Sequence, residues 1–207
     1  MLNTPRSRTA FDLAREDKVT RERYGMNVVG QSTLLGRRLI GAGVPFVVVY
    51  SPVKSIEGLS TDTQTNNIHK INNHLLPPAD QSLSSLLEDM GQRGRLDETL
   101  VIRSAEFGRT PMAQGTTGDG AKRSKAGRDH HKDAYSVWMA GGGSKAGHAH
   151  GATDELGYAI ARDPVHVTES TDHSNSCLCF VPHACFRLPL FLRLLPFPSP
   201  ASLAIVP

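Results

Sequence analysis

The sequence predicts an α/β fold: a partial, mostly parallel sheet between helices, followed by an irregular C-terminal tail. Three observations carry that prediction. β-branched runs alternate with stretches of helical periodicity. A polar, turn-rich segment follows each run. The composition changes abruptly near residue 168. Alternation of this kind argues for parallel strands covered by helices. The body is therefore expected over residues 1–167 and the tail over 168–207.

The elements follow in order. Residues 9–16 and 27–41 read as helices. In the second, Val28, Leu34, Leu35, Leu39 and Ile40 can share one face, with Gly41 and Gly43 as breakers. Val44-Pro-Phe-Val-Val-Val-Tyr50 reads as a strand buried on both faces. Residues 51–66 are polar and turn-rich. Pro78 suits the first turn of a helix whose apolar stripe is Leu83, Leu86, Leu87 and Met90, closed by Gly91 or Gly94. Thr99–Arg103 reads as a second buried strand and Tyr135–Ala140 as a third, with residues 106–134 as a long loop between them. Gly141-Gly142-Gly143 stops the third strand. It lacks the Lys-Ser/Thr ending of a phosphate loop, so a tight turn is expected there.

Of the 207 residues, 23 are Lys or Arg and 20 are Asp or Glu, a net charge of +3 that gives no basis for nucleic-acid binding. The three cysteines, Cys177, Cys179 and Cys185, all lie in the tail. The body therefore has neither disulfides nor a thiolate zinc site. The tail also holds Phe180, Phe186, Phe191 and Phe197. Its greasy stretch is interrupted by Pro189, Pro196, Pro198 and Pro200, which exclude one regular membrane helix. A disordered tail, a wrongly predicted exon and a membrane-associating segment all remain open readings. The polar N-terminus has no apolar h-region, so neither a signal peptide nor a transmembrane helix is read, and the compartment is left unassigned.

In open α/β sheets the chemistry gathers in loops beyond the strand ends. The loop after Tyr50 carries Asp62, followed by Asn66, Asn67 and His69. The segment after Arg103 carries Glu106 and Arg109, then Arg128, Asp129, His130 and His131. Carboxylates converging with imidazoles are what a divalent metal needs, and the two guanidinium forks match a phosphate or sulfate. Bland readings stand beside these. Asp62 can form an Asx turn, Glu106 can be solvated, and His148 and His150 suit a surface role.

The runs Leu96-Asp-Glu-Thr-Leu-Val-Ile-Arg-Ser-Ala-Glu-Phe-Gly-Arg-Thr-Pro111, Gly127-Arg-Asp-His-His131, Trp138-Met-Ala-Gly-Gly-Gly143 and Gly151-Ala-Thr-Asp-Glu-Leu-Gly157 closely resemble the domain-of-unknown-function family 1501. So do Arg23-Tyr-Gly25, Gly30-Gln-Ser32 and Leu75-Leu-Pro-Pro78. That family resembles the alkaline phosphatase and sulfatase superfamily. The resemblance implies an alkaline phosphatase-like sheet and metal-dependent hydrolysis of a small phosphate or sulfate ester, with a divalent Zn, Ca or Mg ion. It implies Asp62, Glu106, Asp129 and His130 as metal ligands, and Arg109 and Arg128 as groups for the substrate oxyanion. The catalytic nucleophile is unknown. Where the family carries Trp-Asp-Thr-His, this chain has Thr61-Asp62-Thr63-Gln64, and an amide oxygen is a poor substitute for an imidazole. The resemblance covers the C-terminal part of such a domain, roughly residues 8–167. Two expectations follow: a sheet edge open to self-association, and, as the alternative function, a catalytically inactive binding or structural remnant.

Overall fold

The computed structural model describes residues 4–50, 67–105, 107–114, 127–166 and 202–203. The chain is a mixed helix-and-strand protein. Its described residues divide into two compact units, one running to Arg93 and the other taking Gly94–Gln114 and continuing from Arg128.

The first unit is helical. α1 (Pro5–Phe11) opens on a reciprocal cap. The Ser7 N–H donates to Thr4 Oγ1 at 3.1 Å, and the Thr4 N–H donates to Ser7 Oγ at 3.2 Å. A 3₁₀ turn at Leu13–Arg15 follows. α2 (Lys18–Tyr24) is capped by Asp17, which accepts the Thr20 N–H at 2.7 Å. α3 (Val28–Gly41) lies one residue from its expected start and is capped by Asn27. α4 (Asn67–Lys70), a π-helical turn (Ile71–Leu75) and α5 (Leu76–Gln92) form one continuous helical run. The helix expected from Pro78 therefore begins earlier, with Pro77 and Pro78 where the π turn passes into α5.

The Arg23-Tyr-Gly25 and Gly30-Gln-Ser32 motifs do packing work. A Cβ on Gly30 would sit 2.2 Å from the Tyr24 carbonyl oxygen and 2.3 Å from that of Gly25, so α3 can start this close to the end of α2 only with glycine there. The Gln31 amide donates to the carbonyls of Arg21 and Gly25 at 3.0 and 2.9 Å. Ser85 on α5 donates to the Arg23 carbonyl at 2.8 Å. Orphan carbonyls at the end of α2 are thereby satisfied by neighbouring helices.

The centre of this unit is ionic. Tyr24 and Leu34 are fully buried. The Tyr24 hydroxyl donates to Asp89 Oδ2 at 3.0 Å. Arg37, nine-tenths buried, makes ion-pair contacts with Asp89 at 2.9 Å and Glu16 at 3.0 Å, neither aligned as a hydrogen bond. Arg38 pairs with Glu16 at 2.6 Å, and Arg93 with Asp89 at 2.7 Å. Burial raises the Asp89 carboxyl, but the Arg93 hydrogen bond and the Arg37 charge outweigh it and hold the group below its ordinary range. Glu16 is likewise lowered, the Arg38 hydrogen bond and the Arg37 charge overcoming burial. Burial, then the Asp89 charge, push the Tyr24 phenol well up.

The strands differ from the expected parallel sheet. Among the described residues they pair two by two. β1 (Val101–Arg103) pairs antiparallel with β4 (Trp138–Ala140). β2 (Gly108–Gln114) lies beside β3 (Gly127–His131). β5 (Ala152–Thr153) pairs antiparallel with β6 (Ile160–Arg162), and β7 (Val165–His166) with β8 (Ser202–Leu203). The second and third expected strands thus exist, trimmed to three residues each, and run opposite to one another. Residues 44–50, expected as the first strand, carry no ladder among the described residues. Val47 and Val49 lie against Gly36 of α3 instead. The glycine triplet makes the expected tight turn, closed by the Ser144 N–H donating to the Gly141 carbonyl at 2.9 Å. Apart from Ser202–Leu203, the expected tail from residue 168 lies outside the described residues, as does the boundary at 167 and 168. Among the described residues no helix is long and apolar enough to cross a membrane.

Candidate functional site

Two of the sequence-predicted ligands, Asp62 and Glu106, lie outside the described residues. The other four site residues, Arg109, Arg128, Asp129 and His130, all belong to the second unit and sit on β2 and β3. Among the described residues of the long loop expected over 106–134, most belong to a strand pair, and that pairing brings the two motif segments together. Arg109 Nη1 donates to the Arg128 carbonyl at 3.1 Å, and Thr110 Oγ1 to the Asp129 carbonyl at 3.4 Å. The Phe107 ring lies 5.4 Å from that of His130, tilted by 39°.

Gly108 makes the close pairing possible. A Cβ there would fall 1.9 Å from the Ala134 carbonyl oxygen, so any side chain would push β2 away from the chain that follows β3. The glycine of the Glu-Phe-Gly-Arg-Thr-Pro run is thus a spacing requirement.

Alternation along β3 places Arg128 and His130 on one face and Asp129 and His131 on the other. The Asp129 carboxylate turns back onto the strand, accepting the His130 N–H at 2.8 Å. The two histidines divide in role. His131 is buried, and both its ring nitrogens are engaged. Its Nδ1 accepts the N–H groups of Ala134 at 3.0 Å and Asp133 at 3.3 Å. That leaves the proton on Nε2, which donates to the Tyr158 carbonyl at 2.9 Å. His131 is therefore a structural imidazole, and His130 lies on the opposite face of β3 beside Phe107.

Asp154, in the Gly151–Gly157 run, is a structural residue that none of the candidate-site motifs marks. Its carboxylate gathers the loop between β5 and β6. Oδ1 accepts the N–H groups of Leu156 at 3.1 Å and Tyr158 at 2.8 Å, and Oδ2 accepts that of Ala159 at 3.0 Å. These bonds, that from Tyr158 foremost, hold its carboxyl below the ordinary range. The signal was available: an Asp followed by Glu-Leu-Gly between two strands suits an Asx-type turn. His148 and His150 lie with ring centroids 6.2 Å apart on the surface loop before β5, in keeping with the surface role expected.

Among the described residues no three His, Cys, Asp or Glu side chains gather in a metal-binding group. His130 and Asp129 carry nitrogen and oxygen donors on adjacent residues, but strand alternation turns the two side chains to opposite faces of β3. No curated protein and no solved structure matches the chain. The motifs that meet on β2 and β3 fall inside a match spanning residues 3–184, and the chain belongs to the family described as Protein of unknown function (DUF1501).

Proposed function

We propose that this chain serves metal-dependent hydrolysis of small phosphate or sulfate esters, on an alkaline phosphatase- or sulfatase-like domain. The observation that supports the reading is the pairing of β2 with β3, which sets Arg109 against Arg128 and Phe107 against His130. In the proposal Asp62, Glu106, Asp129 and His130 hold a divalent Zn, Ca or Mg ion. Such an ion polarises the ester oxygen and activates the attacking group. Arg109 and Arg128 orient the oxyanion through their guanidinium forks. The bond from Arg109 to the β3 backbone keeps that guanidinium in register with Arg128. His130 and Arg128, on one strand face, present ligand and oxyanion donor to the same side.

The test is divalent-metal content together with turnover of an aryl phosphate and an aryl sulfate. Metal-stimulated release of the phenolate, lost in Glu106→Ala and His130→Ala, is the expected result. Equal background rates and equal metal content in all three proteins overturn the proposal. A second reading, a binding or structural remnant without turnover, is favoured by Gln64 at the place of the family imidazole. Metal held by the wild type and lost in His130→Ala, with no turnover of either ester, selects it.

A further inference from the structure

His131 and Asp154 take no part in the proposed chemistry, yet one chain of hydrogen bonds joins them. The Asp154 carboxylate gathers the N–H groups of Leu156, Tyr158 and Ala159. The Ala159 carbonyl accepts the Asp154 N–H at 2.9 Å, and the Asp154 carbonyl accepts the Gly157 N–H at 3.0 Å. The loop is closed on itself from both ends, which fixes the Tyr158 peptide. The Tyr158 carbonyl accepts the Nε2 proton of His131, and the other nitrogen of that ring holds the turn at Asp133 and Ala134. The Tyr158 hydroxyl donates to Met112 Sδ at 3.0 Å, tying the same residue to β2.

We infer that Asp154 and His131 are positioning residues for His130: they anchor the end of β3 from the buried side and so hold the His130 ring against Phe107 on the other. A strand residue's direction is set by its backbone, and the backbone of position 130 is fixed by its neighbour at 131. Groups that orient a ligand in this way commonly change metal affinity 10–100-fold when removed, by an order-of-magnitude rule. The inference rests on the proposed function only for what His130 is positioned to do. The positioning itself is a statement about the metal-free chain.

The experiment reads the His130 ring directly. In proton–carbon correlation spectra of the metal-free protein, the His130 ring protons carry the ring-current shift of Phe107, whose centroid is 5.4 Å away. Spectra and Zn²⁺ titrations are compared for wild type, Asp154→Ala, Asp154→Asn, His131→Gln and Tyr24→Phe. The last lies in the other unit and controls for general loss of stability. Asp154→Asn keeps one acceptor oxygen and serves if the alanine variant does not fold. The expected result is a shift of the His130 ring signals in the Asp154 and His131 variants, with Zn²⁺ affinity lowered about 10-fold or more, and no shift in Tyr24→Phe. Folded variants whose His130 signals superpose on those of the wild type overturn the inference. A wild type that takes up no Zn²⁺ sinks the proposed function, while the ring shifts still decide the positioning.

Discussion

Single residues carry consequences that their type alone does not announce. His131 sits beside His130 in the sequence, and no local pattern separates them. The separation comes from strand alternation and from two backbone N–H groups, one buried and one part-buried, that need an acceptor. Replacing His131 with alanine leaves those donors and the Tyr158 carbonyl without it. A loss of about 1–3 kcal/mol is expected, read from urea unfolding at neutral pH. Gly30 and Gly91 make a second contrast. Alanine in a helix is worth up to about 1 kcal/mol over glycine. At Gly91 nothing lies within 4 Å of an added Cβ, so Gly91→Ala should raise the melting temperature. At Gly30 the carbonyl contacts at 2.2 and 2.3 Å reverse the sign. Overpacking costs of about 1–3 kcal/mol or more exceed the propensity gain, and Gly30→Ala should lower the melting temperature.

At the scale of elements, helices were more legible than strands. α3 announced itself by its stripe and its glycine breakers, and the structure adds the Asn27 cap. α2 did not, because Lys-Val-Thr-Arg-Glu-Arg-Tyr has no apolar periodicity over its two turns. Its stability comes from the Asp17 cap and from what Tyr24 and Arg23 meet on α5. Residues 44–50 show the converse. Their β-branched composition is strand-like, but a strand is defined by its ladder, and a ladder is a non-local fact. The β2–β3 pair was hidden for another reason. Pro111 and charged residues mask its pattern, and the pairing joins residues about twenty apart. The site was readable as two motifs, and their meeting was not readable from local periodicity. Removing the glycine at that meeting is the test: Gly108→Val should shift the amide resonances of β3, checked in a ¹⁵N correlation spectrum, because its side chain cannot coexist with the Ala134 carbonyl.

For the molecule as a whole, the buried ionic centre sets the response to acid. Asp89 and Glu16 both titrate lower in the folded chain than in the unfolded one. Their contribution is complete above the ordinary carboxylate range and disappears as pH falls through the depressed values. The melting temperature should therefore decline steeply below about pH 4. Asp89→Asn should flatten that decline while costing about 3–5 kcal/mol at neutral pH, since it removes one of the two carboxylates paired with the buried Arg37. A thermal-melt series across pH checks both. None of this was visible beforehand, because a carboxylate on α5 and arginines on α2 and α3 become partners only after folding.

That same centre dictates an order of assembly. Arg23, Arg37 and Arg38 leave the ribosome some fifty or more residues before Asp89 does. Until then Glu16 is the only acid of the cluster that has emerged, facing three cations. A nascent chain arrested short of residue 89 should thus stay protease-sensitive throughout its first helices, and one released a few turns later should resist. Translation itself would time when this half of the protein closes.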